Sequence, residues 1–343
     1  MKIETIVLNK ERHVTLTAMI QDVGGEYRNV TARPAIVVIP GGGYMFCSDR
    51  EAEPVALEYL RAGFNAFILR YSIGKDSAWP QPLNDYDEAM EYIIEHADEW
   101  HVIKDKIAVA GFSAGGHLAG AAATLAKHRP VAAILGYPVV NEQIIEINQN
   151  APSIVASVDS QTSPCFIFAT RTDNVVKIQN SIDMLNALNK HGISFETHIY
   201  NYGPHGFSTG DFSIQAKNTL ISSRAKNWVS DSISWLRDMV GDFGTEGLEK
   251  PRCKAHMTDD GEAWLSLDCT IGRVLGNPEA VRVLDDVIAE MKDKITPFSP
   301  DMTFDDMMQV LSSMKLRDLL AERGLFIEEF DQLDKKLGKI PNI

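Results

Sequence analysis

The chain has 343 residues, 45% of them hydrophobic and 23% charged, an ordinary balance for a globular protein that can bury a substantial core in one large domain or two. A formal net charge of −14 with no Lys/Arg-rich run argues against nucleic acid or an anionic membrane as the main partner. No stretch approaches the ~18 apolar residues of a membrane span.

The first twenty residues, MKIETIVLNKERHVTLTAMI, are polar at intervals and lack an apolar core followed by a small-residue cleavage site, so no signal peptide is read there. Cys47, Cys165, Cys253 and Cys269 show no CxxC spacing and fit free thiols in a reducing cytoplasm. The expected location is therefore cytoplasmic.

Ile3–Leu8 and Val14–Ile20 read as an antiparallel edge. Apolar runs then recur at Ala35–Ile39, Phe64–Leu69, Lys106–Ala110, Val131–Gly136 and Cys165–Ala169, with Ser194–Tyr200 as a sixth strand-like segment. The first five of these six are almost continuously apolar, as strands covered on both faces should be. Between them lie the helical patterns EAEPVALEYLRAG, LNDYDEAMEYIIEHA, GGHLAGAAATLAKH and VKIQNSIDMLNALNKHG, and a long helix over Ala216–Met239 closes the unit. Such alternation predicts an α/β fold, a parallel sheet with helices on both faces.

The composition then shifts. Residues 241–252, rich in glycine, read as a linker after a first domain over 1–240. Residues 253–343 read as a small, mainly helical domain, in which Asn277 caps a helix that starts at Pro278. The apolar faces of its helices look too wide for an isolated surface, so this domain is expected to pack on the first domain or on a second subunit, the latter making a homo-oligomer.

In IAVAGFSAGGHLAG, a strand ends in Gly-Phe-Ser-Ala-Gly and a helix begins. A sharp strand-to-helix turn lifts a serine above the sheet, and Gly111 and Gly115 relieve the crowding around Ser113. A hydroxyl needs a base to take its proton. Three later histidines of the first domain are the candidates. His198 falls inside a strand and His191 ends a helix, whereas His205 sits in the tight loop YGPHGF just past a strand. The base needs an acid to hold its tautomer. Asp173 follows the strand CFIFA directly, whereas Asp159 lies in an irregular stretch and Asp183 in a helical pattern. Ser113, Asp173 and His205 thus all fall at the carboxyl ends of strands, where open parallel sheets build their sites.

A tetrahedral intermediate also needs amide donors for its oxyanion. PGGGY follows the strand that ends at Ile39 and offers Gly42 and Gly43, joined by Ala114 at the helix start. The loop lacks both the Walker ending and the full GxGxxG form, which sets aside a phosphate cradle. Tyr44, Phe46 and Trp79 are expected to line a substrate pocket. Met45 and Cys47 follow the same glycines and could line it too, and Cys47 has no histidine placed to make it a nucleophile. His117 and Asp85 read as packing and loop-holding residues.

With PGGGY, GFSAGG, RTDNVV and PHGF in order, Ala35–Met239 resembles the α/β-hydrolase superfamily, and within it the esterase/lipase group of hormone-sensitive-lipase-like enzymes and bacterial acetylxylan esterases. The resemblance implies an eight-stranded, mostly parallel sheet, a triad of Ser113, Asp173 and His205, and no metal or organic cofactor. Pro40 stands where lipase-like members usually carry histidine, which favours the acetylesterase-like branch. The segment between Val140 and Cys165, where such enzymes carry a lid, is short and leaves the site open. The helical domain resembles an appendage of some carbohydrate-active enzymes. The expectation is a serine carboxylesterase acting on short-chain esters of sugars or xylo-oligosaccharides. An amidase or peptidase on the same fold, or a non-catalytic binding protein, are the alternatives.

Overall fold

The computed structural model describes residues 1–241, 243, 251–256, 264–296, 298, 299 and 302–342. The chain divides into two compact units, Met1–Ala255 and His256–Ile343. Most of the linker expected over 241–252 falls on 242 and 244–250, which lie outside the described residues.

In the first unit, eight strands form one sheet: β1 (Lys2–Asn9), β2 (Val14–Ile20), β3 (Arg33–Ile39), β4 (Asn65–Arg70), β5 (Val102–Phe112), β6 (Ala133–Gly136), β7 (Cys165–Thr170) and β8 (Phe195–Tyr200). Their order is β1-β2-β4-β3-β5-β6-β7-β8. β1 and β2 are antiparallel, β2 is antiparallel to β4, and every later pairing is parallel. β3 and β7 are buried along their whole length, which is why Ala35–Ile39 and Cys165–Ala169 read as unbroken apolar runs rather than as alternation.

Alternate residues of a strand face opposite sides, so one strand feeds two cores. Ala35, Val37 and Ile39 join one cluster and Ile36 and Val38 the other. The first cluster is covered by α2 (Gln81–Glu95), α3 (Ala114–Thr124) and α4 (Gln179–Lys190), through residues such as Tyr86, Leu118 and Met184. The second is covered by α1 (Glu53–Arg61) and α5 (Trp228–Val240), through Tyr59, Trp228 and Leu236. Covering both faces buries central strands such as β3 and β7 and leaves their ends for chemistry.

The closing helix is shorter than the sequence pattern suggests. It begins at Trp228, not at Ala216. A 3-10 turn, Ala225–Asn227, leads into it, and before that lie turns, in which the Thr219 hydroxyl donates to the Ala216 carbonyl and Leu220 is 76% exposed. Short polar side chains there bond the local backbone in competition with a helix, and no core face rewards Leu220.

The second unit is helical: α6 (Ile271–Gly276), α7 (Pro278–Val283), α8 (Asp285–Lys294), α9 (Phe304–Val310), α10 (Leu316–Glu322) and α11 (Phe330–Leu337). Asn277 caps α7, its side chain accepting from the amides of Glu279 and Ala280. The apolar faces of these helices meet in a cluster that includes Ile271, Leu284, Met291, Leu319 and Leu337.

Candidate active site

β5 turns into α3 through Ser113, whose φ of 54° and ψ of −118° are strained for a residue with a side chain. Close approach forces the neighbouring glycines. A Cβ on Gly111 would stand 2.1 Å from the Gly115 carbonyl oxygen, and one on Gly115 would stand 2.3 Å from that of Ile39. The turn is held by the Ser113 amide donating to the Gly136 carbonyl at 3.0 Å and by its carbonyl accepting from the His117 amide at 3.0 Å. The Ser113 hydroxyl is left pointing off the sheet at the end of β5.

His205 and Asp173 meet it there. His205 Nε2 lies 2.8 Å from Ser113 Oγ, and His205 Nδ1 lies 2.7 Å from Asp173 Oδ2. The Asp173 side chain is 1% exposed and that of His205 17% exposed. Asp173 Oδ1 accepts from the amides of Val175 and Val176, both at 2.9 Å. With no donor of its own at neutral pH, the carboxylate takes the Nδ1–H, which leaves Nε2 as an acceptor facing the serine hydroxyl. The loops that carry the pair are tied together: the hydroxyls of Thr170 and Thr172 both donate to the Gly203 carbonyl.

The other candidates lie apart. His198 is on β8 and stacks on Phe166, His191 ends α4, Asp159 pairs with Arg129, and Asp183 accepts from Asn141 and Gln179.

The glycine loop runs beside the serine, since a Cβ on Gly41 would stand 3.0 Å from Ser113 Cβ. Gly42 has a φ of 134° and its carbonyl accepts from the amides of Met45 and Phe46. A Cβ there would stand 2.0 Å from the Phe46 carbonyl oxygen, so only glycine fits. Among the described residues the amides of Gly42, Gly43 and Ala114 donate to no protein acceptor, whereas the Gly41 amide is bound to Glu51. Free amides beside a hydroxyl can receive developing negative charge.

The three pocket candidates differ. Tyr44 offers no surface to a ligand: it is 1% exposed, packs on Tyr71, and its hydroxyl donates to His117 Nδ1 at 2.7 Å. Its backbone at φ 60° turns the ring inward, which adjacency to the glycines does not reveal. Phe46 is 58% exposed, and Trp79 is half-buried against the His117 ring. His117 is fully buried, and its Nε2–H donates to the Pro152 carbonyl. Burial holds its imidazole down to about 4. Asp85 holds a loop, accepting from the Ser72 amide and Arg12. Burial pushes the Cys47 thiol up to about 11, which leaves little thiolate for attack.

The lid position holds a short 3-10 turn, Glu142–Glu146, capped by the Asn141 side chain. Ile147 reaches within 3.9 Å of where a Gly43 Cβ would stand, and Gln143 donates to the Val175 carbonyl beside Asp173. A groove of about 690 Å³ lined by Leu57, Arg61, Ile233 and Arg237 contains none of the expected site residues.

One carboxylate escapes a reading of the sequence. Glu51 lies in the polar run CSDREAEP, which has the composition of a solvated turn, yet it is 3% exposed. Its Oε2 accepts from the Gly41 amide at 2.9 Å and its Oε1 from the Tyr137 hydroxyl at 2.6 Å.

The family model described as BD-FAE matches residues 26–132. A solved structure of an alpha/beta hydrolase enzyme from a Medee basin deep-sea metagenome library is 42% identical, with 70% of this chain and 98% of that one covered and a TM-score of 0.66. Endo-1,4-beta-xylanase B of Butyrivibrio fibrisolvens is 32% identical over 213 residues, 52% of this chain and 33% of its own length. Acetylxylan esterase of Xylanibacter ruminicola is 28% identical over 199 residues, 51% of this chain and 41% of its own length. The chain thus spans well under half the length of these two curated relatives.

Proposed function

The chain belongs to the α/β-hydrolase superfamily, in its esterase group, and from that premise we propose that it is a serine carboxylesterase working through an acyl-enzyme. The observation that carries this is the unbroken line of hydrogen bonds from Asp173 through His205 to Ser113.

Ser113 Oγ attacks the ester carbonyl carbon as its proton passes to His205 Nε2. Asp173 stabilises the resulting imidazolium through Nδ1–H. The carbonyl oxygen, now an anion, is received by the amides of Gly42, Gly43 and Ala114. When the tetrahedral species collapses, the bond to the alkoxy oxygen breaks and His205 protonates the leaving alcohol. The acyl group stays on Ser113. Water then attacks the acyl carbon, giving its proton to His205, and the carboxylic acid departs as Ser113 regains its hydrogen.

Short acyl groups, acetyl above all, on a sugar or xylo-oligosaccharide are the proposed substrates. The short lid segment and the names of the two curated relatives support that class. Two domains, with catalysis in the first, and a cytoplasmic setting complete the proposal.

A p-nitrophenyl ester series of rising acyl length, run beside p-nitroanilides and acetylated xylo-oligosaccharides, tests it. Turnover highest for acetyl and lost in Ser113→Ala is expected. A wild-type protein that cleaved only anilides, or whose Ser113 resisted a fluorophosphonate probe while folded, would remove the esterase reading.

A further inference from the structure

The site is assembled from separate loops, and such assemblies need something to hold the loops in register. Ser113 follows β5, the glycine loop follows β3, Tyr137 follows β6, and His205 follows β8. Each comes from a different strand end, so each could drift alone.

Glu51 is the point at which the glycine, Tyr137 and His205 loops meet. Through Oε2 it takes the amide of Gly41, the residue packed against Ser113 Cβ. Through Oε1 it takes the hydroxyl of Tyr137, whose oxygen in turn accepts the Ser208 amide at 3.1 Å, three residues beyond His205. The same Oε1 lies 3.9 Å from where a Gly206 Cβ would stand. The Tyr137 ring stands edge-on to the His205 ring at 5.1 Å, and the Ser208 hydroxyl donates to the Arg50 carbonyl, next to Glu51 in the chain. Both carboxylate oxygens act as acceptors, so the arrangement is satisfied by the ionised acid. A buried carboxylate with two specific donors and no surface is a costly thing to keep unless its geometry is used.

We propose that Glu51 is a positioning residue, fixing the glycine loop and the histidine loop on either side of Ser113. The inference rests on the esterase reading for its chemistry, since it assigns the amides of the glycine loop to an oxyanion. Glu51 does not touch the reacting atoms. It acts through Gly41 on the adjoining amides of Gly42 and Gly43, and through Tyr137 and Ser208 on the loop that carries His205. It also attracts a cationic His205, and so adds a second negative charge to that of Asp173 when the imidazolium forms. The charged or titratable groups that face Glu51 are Tyr137, His205, Arg50 and Tyr71, and those that face His205 are Asp173, Ser113, Tyr137 and Glu51. Burial pushes the Glu51 carboxyl up, while the Tyr137 hydroxyl and the Gly41 amide pull it back.

Glu51→Gln keeps the shape and loses the charge. The amide oxygen can take only one of the two hydrogens that Gly41 and Tyr137 present. With Gly41 kept on that oxygen, the NH2 faces the Tyr137 hydroxyl, which must turn its hydrogen away and loses its charged acceptor, so the branch through Tyr137 weakens. Tyr137→Phe is the second variant: it cuts the branch to Ser208 and leaves the branch to Gly41. With folding checked by circular dichroism and melting, Glu51→Gln is expected to lower kcat on p-nitrophenyl acetate by ~10–100-fold, because small misplacement of catalytic groups is that expensive. KM stays near the wild-type value, since the substrate is not touched. The acidic limb of the kcat/KM profile moves to lower pH, because a negative charge that favours protonation is gone, a shift that loss of packing alone does not produce. Tyr137→Phe gives a smaller fall in kcat in the same direction. The rate of fluorophosphonate labelling of Ser113 falls in parallel. A folded Glu51→Gln protein with wild-type kcat, labelling rate and pH limb overturns the proposal. If the wild type is labelled but cleaves no ester, the esterase reading falls and the labelling rates still decide the role of Glu51. A wild type that resists the probe overturns both.

Discussion

Replacing Asp173 by asparagine is a demanding test, because the structure dictates which way the amide must turn. Two backbone amides, those of Val175 and Val176, converge on Oδ1 at 2.9 Å. They need an acceptor, so the asparagine oxygen is pinned at that position and its NH2 is driven toward His205, 2.7 Å away. An NH2 can only donate. His205 must then present a bare Nδ1 to it and carry its hydrogen on Nε2, where it can no longer take the proton of Ser113. Swapping the tautomer in this way costs a factor of about 10⁴ in kcat, which is about 5 kcal/mol of barrier. The backbone bonds at Oδ1 survive, so the fold should too. The assay is kcat and KM on p-nitrophenyl acetate, with circular dichroism and melting as controls. A folded Asp173→Asn protein that turned over within tenfold of wild type would show that this acid does not set the tautomer. The catalytic reading would then lose its support.

Two further outcomes follow from the buried histidine behind the site. Tyr44→Phe leaves His117 Nδ1 without its donor in a fully buried position, and should cost about 1–3 kcal/mol of stability in urea denaturation. KM for a short ester should stay unchanged, and a large rise would restore Tyr44 to the pocket wall. The second outcome concerns pH. His117 is held down from its ordinary 6.5 to about 4, so below 6.5 the unfolded chain binds a proton that the folded chain refuses. The stability contributed by the neutral ring is fully present above about pH 6.5 and is lost as the pH falls toward 4, by an amount on the order of 3 kcal/mol. Urea midpoints between pH 7 and pH 4 should fall less steeply in His117→Gln than in the wild type. Equal slopes would rule His117 out as the source.

The parts of the fold that could be read in advance are those with one dominant cause. Ile36 and Val38 face one core and Ala35, Val37 and Ile39 the other, so β3 is apolar from Ala35 to Ile39. Ser113 sits where backbone crowding admits glycine at 111 and 115, a constraint visible as spacing. Other features depend on what lies across space. The turn that buries Tyr44 is a backbone angle, and no neighbour in sequence reports it. Residues 216–224 have enough apolar spacing to suggest a helix, yet they are turns, and only a single 3-10 turn at Ala225–Asn227 precedes the helix at Trp228. Glu51 is indistinguishable in sequence from Asp49 and Glu53, yet those two meet Arg70 in exposed ion pairs while Glu51 turns inward.

The helix that follows Ser113 has no wet side. Every residue from Ala114 to Thr124 is buried, and most are alanine or glycine packed against β5 and β6. A larger side chain at those positions has nowhere to go, so descendants of this sequence are barred from adjusting their preferences from beneath. Novelty has to enter from the rim, where Phe46, Ile145, Ile147 and Val175 meet solvent and can be exchanged at little cost to folding. Related chains should therefore differ in those few residues while their interiors stay nearly frozen.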